Sequence, residues 1–346
     1  MENISSKCKN CGSELWFNPK QGCLTCKYCE SNYFLPKKRD DAVLVRQYDA
    51  GFHPNQLNQS LVAYKCEACQ NVYFMSSEEK SKKCTNCGSS SSVLVEDSNY
   101  SADGIMPFKI SKDEAAKCFE KFLKEKSSIP KELKKLAQSK KLMGVFIPVW
   151  NFSFNIYASY SANATELKKD YNGMFYGVSK PVMGDEMKRY PSLDESANKM
   201  EDEIFLELFD ENDYIGIIPY TPEYTYGFRV DAVNKNIHDY AHGIVKNAER
   251  DYERKIKKQI ISKYREVSDV QVDARADDIF FNFTYVPVYV NNFTYHGKTY
   301  KTYISGTTGK VIGKTPKSIG KRVGNVLKGV ALLALIGALG YFFFLR

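Results

Sequence analysis

Residues 8–29, CKNCGSELWFNPKQGCLTCKYC, and residues 66–87, CEACQNVYFMSSEEKSKKCTNC, carry one punctuation twice. Cys8, Cys11, Cys26 and Cys29 follow a C-x2-C-x14-C-x2-C spacing, and Cys66, Cys69, Cys84 and Cys87 repeat it. A C-x2-C turn brings two thiolates to within about 2.3 Å of one tetrahedral ion, and a hairpin between the pairs delivers the other two from the facing side. The spacing predicts two zinc ribbons, in residues 1–36 and 60–95, each holding one structural Zn2+. A closed set of four thiolates leaves no ligand position for a substrate, which excludes zinc catalysis. Gly12 and Gly88, each directly after a knuckle's second cysteine, support the tight turns this needs.

Disulfides are the competing use of these cysteines. The first ten residues hold no apolar run of the signal-peptide kind, so reduced thiols on a cytosolic side are expected. A ribbon this short buries too little apolar surface to fold alone, and metal supplies the difference, on the order of 10 to 16 kcal/mol apparent per site. Two cysteines stand outside the sets. Cys23 precedes Cys26 by three, but the matched gap between the ribbons selects Cys26 and Cys29 as ligands. Cys118 lies on a helical stripe with Ala115, Phe119, Phe122 and Leu123, where a thiol acts as a small hydrophobe.

The opposite end reads as a membrane span. Residues 329–345, GVALLALIGALGYFFFL, are 17 residues without a charge. At about 1.5 Å each they cover roughly 25 Å of a hydrocarbon core near 30 Å, with snorkelling of Lys328 extending the reach. Lys310, Lys314, Lys317, Lys321, Arg322 and Lys328 precede the run and Arg346 alone follows it. That asymmetry places the bulk of the chain in the cytoplasm, single-pass and tail-anchored, with residues 316–328 as a basic juxtamembrane segment drawn to anionic lipid. The charge balance, 49 Lys and Arg against 41 Asp and Glu, gives +8. Two filled tetrathiolate sites, each carrying −2, bring it to about +4, which weakens the case for nucleic acid.

Between ribbons and span, residues 102–315 are expected to form an α+β domain, an antiparallel sheet with helices. Ser111 and Glu114 make a capping box for a helix to about Lys126; a second helix restarts near Pro130 and ends by Gly144. The strand VFIPVWNFSFNIY follows. The longest helix spans Ile237 to Ile260 on apolar steps of three and four, and strands follow around Ile279–Thr284 and Val286–Thr294, then a hairpin turning at Gly306–Gly309. FIPVW at 146–150 and YVPVY at 285–289 echo each other, which suggests an internal duplication. Residues 158–235 yield no topology beyond an acidic helix around Glu201–Phe209.

The combination of CGSELWFNP and CKYC in the first ribbon, a second ribbon, DGIMPFKISKDEA, PKELKKLA, GVFIPVW, PYTPEYTYGF, VPVYV and SGTTGKVIG before a C-terminal span resembles the bacterial TFIIB-type zinc-ribbon membrane proteins, often labelled primosomal or helicase-like. The resemblance covers Cys8 to about Thr315. It implies a membrane scaffold with partners of the SPFH (flotillin-like) or phage-shock type in envelope stress, without a defined enzymatic activity. The chain departs from that pattern at Cys23 and at Glu30, where a glycine often follows the last cysteine.

The helicase label has no residue support. GKVIGKT at 309–315 is one residue short of a phosphate-binding loop and sits in a hairpin rather than between strand and helix. His238 and His242 lack the glutamate and third ligand of a metalloprotease helix, and DENDYIG at 210–216 has its glycine one position late for a calcium loop. No nucleophile elbow or dinucleotide loop is present, so no enzyme is expected. Nine lysines between Lys117 and Lys141 are interspersed with Glu120, Glu125 and Glu132 and read as solvated helix surface. The leading expectation is a tail-anchored, cytoplasm-facing scaffold or adaptor recruiting proteins at the inner membrane; the alternative is a membrane-tethered nucleic-acid-binding protein.

Overall fold

The computed structural model describes residues 6–35, 43, 45–48, 61–76, 83–84, 86–95, 102–126, 129–130, 142–199, 201, 203–264 and 266–316. The first cysteine segment forms a small antiparallel sheet of β1 (Leu15–Asn18), β2 (Cys23–Cys26) and β3 (Asn32–Phe34). After the short β4 (Arg46–Gln47), the second cysteine segment gives β5 (Leu61–Cys66), β6 (Val72–Ser76) and β7 (Ser92–Leu94). β8 (Gly104–Ile105) leads into α1 (Lys112–Glu125), where the Ser111 amide donates to the Glu114 carboxylate at 2.7 Å and the capping box forms as expected. The expected restart near Pro130 falls almost wholly outside the described residues, as do residues 317–328 and the expected span 329–345. Among the described residues no helix is long and apolar enough to cross a membrane.

β9 (Met143–Lys169) and β10 (Phe175–Ser196) form a long hairpin, so the segment whose topology the sequence left open is largely sheet. The expected acidic helix is a 3-10 helix, Glu203–Leu208. β11 (Ile218–Pro219), β12 (Arg229–Asp231), α2 (Ile237–Lys263), β13 (Glu266–Tyr295), β14 (Lys298–Ser305) and β15 (Val311–Gly313) complete the order. The two strands expected before the last hairpin are one, the 30-residue β13.

β9 and β13 pair antiparallel along nearly their full lengths, and the echoing segments lie directly against each other: Phe146 opposite Pro287, Ile147 opposite Val286, Pro148 opposite Tyr285. Both prolines sit inside long strands because neither position needs an amide donor. On its outer edge β9 pairs with β12 at Val145–Phe146 and with β10 from Val149 onward, leaving Pro148 in the gap; Pro287 falls in the matching gap between β8 at Thr284–Tyr285 and β14 from Val288. Each proline carbonyl accepts the amide just past the returning strand, Ala197 onto Pro148 at 2.9 Å and Gly306 onto Pro287 at 2.9 Å.

The internal duplication is therefore structural. One repeat is β8–α1–β9–β10, the other β12–α2–β13–β14, and each first strand pairs in parallel with the long strand of the other repeat, two and three residues before its proline. Gly104 and Arg229 each precede the first residue of their helix by eight positions. Ala115, Ala116, Phe119 and Leu123 of α1 occupy the same steps as Tyr240, Ala241, Ile244 and Ala248 of α2. Even the closing turns agree: Ser196 accepts the amide of Asn198 and Ser305 that of Thr307, both at 3.2 Å.

One face of the paired center is aromatic. Phe108 stacks on Phe228 at 4.1 Å and meets Phe146 and Tyr289 at 5.0 and 4.8 Å, while Trp150, Phe281, Phe283 and Tyr285 pack as a second group. The other face is aliphatic, with Val145, Ile147, Val149, Val286, Val288 and Val290 buried beneath Phe205 and Leu208 of the 3-10 helix. Burial on both faces explains the continuous apolar runs in place of alternation. Farther out, β9, β10 and the first half of β13 extend as a three-stranded arm. Phe152, Phe154, Ile156, Ala158, Tyr160 and Ala162 share a core there with Ala241, Val245, Tyr252, Ile256 and Ile260 of α2, and the alternate, odd-numbered residues of β9 face outward.

The repeats differ mainly in the hairpin. The β13–β14 turn is two residues, His296 and Gly297 at φ 46° and 72°, as a type I′ connection requires. In the other repeat the hairpin runs on to residues 170–174. Gly306 is a point of close approach between the repeats: a Cβ there would lie 2.5 Å from the Phe108 ring and 2.8 Å from Pro287. Gly306→Ala is expected to cost about 1–3 kcal/mol through overpacking, read as a lower urea midpoint at unchanged slope.

Candidate metal centers

All four C-x2-C turns have the same backbone. The carbonyl of the first cysteine accepts the amide four residues on, from Gly12, Glu30, Gln70 and Gly88, at 2.8, 3.2, 2.8 and 3.0 Å. The first cysteine's own amide donates to Ser13, Ser31, Asn71 and Ser89 at 2.7, 2.9, 2.9 and 2.7 Å. The residue after each second cysteine takes a positive φ, 74°, 59°, 63° and 76° in chain order. Glu30 thus departs from the glycine pattern in side chain but not in backbone, and Gln70 does the same.

These turns bring the thiols together as the spacing predicts. Sγ–Sγ distances are 3.5 Å for Cys8–Cys29, 3.4 Å for Cys11–Cys26, and 3.6 Å for both Cys66–Cys87 and Cys69–Cys84. Within each set all four lie within 4.8 Å of one another. A tetrahedral ion with bonds of about 2.3 Å needs edges of about 3.8 Å, so each set can close on one metal with small adjustments. The sets differ in exposure: Cys11 and Cys29 are exposed, whereas every ligand of the second set is buried or half-buried. The Tyr33 hydroxyl, 3.3 Å from Cys8 Sγ, holds that thiol at about 6 and favors the thiolate that binds metal. Burial pushes the Cys84 thiol upward instead, so metal must displace a more firmly held proton there.

Both ribbons are fixed to the body. In the first, the Phe17 amide donates to the Tyr226 carbonyl at 2.8 Å, the Phe17 ring meets Tyr224 edge-on at 4.9 Å, and Trp16 packs on Gly227. The second is part of the main sheet, because β6 pairs with β12 at Phe74–Val230 and Tyr73–Asp231. Its far knuckle is held by side chains: Asn292 donates to the Asn86 carbonyl at 3.0 Å and Lys301 to the Asn86 side chain at 3.3 Å. Lys301 in turn pairs with Glu201 at 2.6 Å, a fully buried carboxylate that also accepts from Tyr303 at 2.8 Å. A cleft of about 760 Å³ opens between the ribbons and the start of α1, with Trp16, Lys83, Lys112, Arg229 and Phe293 on its walls. Sequence reading found the eight ligands; it missed Tyr33, Asn86, Glu201, Asn292 and Lys301, which belong to no local pattern.

The remaining candidates resolve into structure. Cys23 is buried on β2, and Cys118 packs against Gly309. His238 Nδ1 lies 3.2 Å from the Tyr48 hydroxyl and His242 is exposed; among the described residues only the two cysteine sets have metal-binding geometry. Asp210 caps a single helical turn, Glu211–Tyr214, and Val311–Gly313 of the would-be phosphate loop is strand β15. Lys112, Lys117, Lys121 and Lys124 are exposed on α1, while the lysines from 131 to 141 lie outside the described residues.

The chain is similar to a protein of Bacillus subtilis (strain 168) described as uncharacterized protein YdjG, 26% identical over 332 residues and covering 92% of each chain. No family model and no solved structure matches it. Similarity across nearly the whole of both chains involves far more than the ribbons.

Glu30→Gly and Gln70→Gly are expected to stabilize their turns by about 0.5–1 kcal/mol each, because a side chain at positive φ costs about 1–2 kcal/mol and glycine returns part of that as unfolded-state entropy. Gly12→Ala and Gly88→Ala move the other way; chelator-challenged thermal melts compare all four. Lys301→Met strands the buried Glu201 carboxylate and is expected to cost about 3–5 kcal/mol, with partial recovery on adding Glu201→Gln. The same variant should speed metal loss from the second site over the first, measured by release to a colorimetric chelator.

Proposed function

We propose that the protein is a non-enzymatic, zinc-stabilized scaffold or adaptor, tethered by residues 329–345 to the cytoplasmic face of the cell membrane, where its ribbons recruit protein partners. The observation that carries this reading is that both four-thiolate sets are closed and docked on one β-rich body. Such sites hold shape and leave no position for a reacting group. Zinc suits them because a tetrahedral tetrathiolate set matches its ligand preference and folding is coupled to its binding. The uncharged C-terminal run and its basic flank support the tether. Recruitment is supported by the ribbon edges: among the described residues β3 and β7 are each paired on one side only, and Phe34 and Leu94 on them are 77% and 66% exposed. By resemblance the partners are of the SPFH or phage-shock type, acting in envelope stress.

Nucleic-acid binding is the second reading, on the lysines of α1. Lys117, Lys121 and Lys124 share their surface with Glu120 and Glu125, and Lys121 pairs with Glu125 at 3.9 Å, which dilutes the phosphate-facing charge. The experiment is a cell fractionation joined to a binding titration. Two zinc per chain, carbonate-resistant membrane association lost on deleting residues 329–346, and cross-linked membrane-protein partners lost with Phe34→Ser and Leu94→Ser are the expected results. Tight nucleic-acid binding with a steep salt slope, weakened by Lys117→Glu and Lys121→Glu, replaces the scaffold reading with the second.

A further inference from the structure

The β9–β10 hairpin outruns everything paired with it. α2 ends at Lys263, and β13 begins at Glu266 opposite Thr165. From Glu166 to Val178 the two strands and their turn therefore continue with no third strand among the described residues. Every residue from Leu167 to Gly177 is exposed except Asp170. Five are large and apolar: Leu167, Tyr171, Met174, Phe175 and Tyr176, at 47, 98, 71, 68 and 50% exposure. A bare two-stranded ribbon is marginally stable in water, and concentrating such side chains at its end adds exposed apolar surface.

The distribution of these side chains identifies what covers them. Strand alternation puts Leu167, Lys169 and Phe175 on one face and Lys168 with Tyr176 on the other, while Tyr171 and Met174 form the end. A groove on a protein would cover one face of a ribbon; here the tip is apolar on both faces and at its end, which suits immersion in a medium. The charges agree. Glu166 pairs with Lys180, and Asp170 accepts the amides of Asn172 and Met174 at 2.9 and 2.8 Å, so the acids are engaged within the hairpin. Lys168 and Lys169 point outward beside the aromatic rings, with Lys169 Nζ 5.6 Å from the Phe175 centroid. A leading end of Tyr171 and Met174, Phe175 just behind it, and Tyr176 with Lys168 and Lys169 set back toward the phosphates are the chemistry of a membrane interface.

We propose that the hairpin tip, residues 167–176, inserts into the headgroup and upper acyl layer of an anionic lipid bilayer. The inference is independent of residues 329–345: it rests on the opposite end of the sheet from the point where the chain leaves it.

The test places a reporter on the tip. In the full zinc-loaded chain, Tyr171→Trp adds a fluorophore where the side chain is almost wholly exposed, and the parent chain's signal from Trp16 and Trp150 is subtracted. Vesicles of phosphatidylglycerol and phosphatidylcholine carrying brominated acyl chains are expected to quench and blue-shift the added tryptophan; vesicles of phosphatidylcholine alone are not. Lys168→Gln with Lys169→Gln should weaken the anionic-lipid effect at least tenfold, in line with the attraction of basic residues to such surfaces. Zinc content and the far-ultraviolet spectrum stay unchanged, since the tip supports no core. Insertion of residues 329–345 is read separately, by co-sedimentation, so a failed tether and a failed tip give different results. Absence of quenching in anionic vesicles overturns the proposal, as does equal quenching in neutral ones. A photo-cross-linker at position 171 that joins the tip to protein in place of lipid also overturns it.

Discussion

The antiparallel contact of FIPVW with YVPVY is the constraint on which the rest depends. It places two prolines where the sheet changes partners on its outer edges, and through those gaps each long strand hands over from a short parallel neighbor to a long antiparallel one. A slip of one residue would exchange the aromatic and aliphatic faces, setting Phe146 and Tyr289 against the 3-10 helix and the valines against Phe108 and Phe228. The prolines penalize it as well, because either would then meet a strand that requires its missing amide. Register is thus fixed twice, by side-chain volume and by hydrogen-bond stoichiometry.

The ribbons inherit their positions from that contact. β12 belongs to the second repeat but pairs with β9 of the first, and among the described residues the second ribbon's strand pairing with the rest of the sheet runs through β12. Its metal site is thereby coupled to the meeting of the repeats, with Lys301 and Asn292 of the β13–β14 hairpin gripping its far knuckle. The first ribbon docks on residues 224–227, the segment immediately before β12. Both sites converge on one short strand, although they enter the chain well before it.

What could be read in advance was what has a short repeat. The eight cysteine ligands, the capping box at Ser111, the apolar steps of α2 and the turn at Gly306–Gly309 each satisfy a local rule within a few residues. The echo of five residues was legible too, and the structure extends it to helix starts, strand pairings and serine caps that share no obvious sequence. Residues 158–199 defeated reading because the arm is covered on one face only in its inner half and on neither face at its tip. Its outward positions mix Tyr157, Met183 and Met187 with serines and acids, so alternation is blurred. The side chains that seat the second ribbon were invisible because Asn86, Glu201 and Lys301 meet from three distant parts of the chain.

The arm also sets a geometric condition on any membrane role. β15 leaves the sheet at Gly313, beside Thr302, which faces Asn291, whereas the arm ends beyond Glu266. The stretch of β13 from Asn291 back to Glu266 spans about 80 Å at the usual rise, before the hairpin tip is added. Residues 317–328 can bridge at most about 40 Å even when fully extended. A span at 329–345 and a tip at 167–176 can therefore reach one bilayer only if the long axis of the sheet lies close to the membrane plane. An upright molecule would hold the tip far from the anchoring bilayer, available to a second one. In the first arrangement the ribbons would be displayed along the surface; in the second they would stay near the base of the sheet, at the end away from the arm.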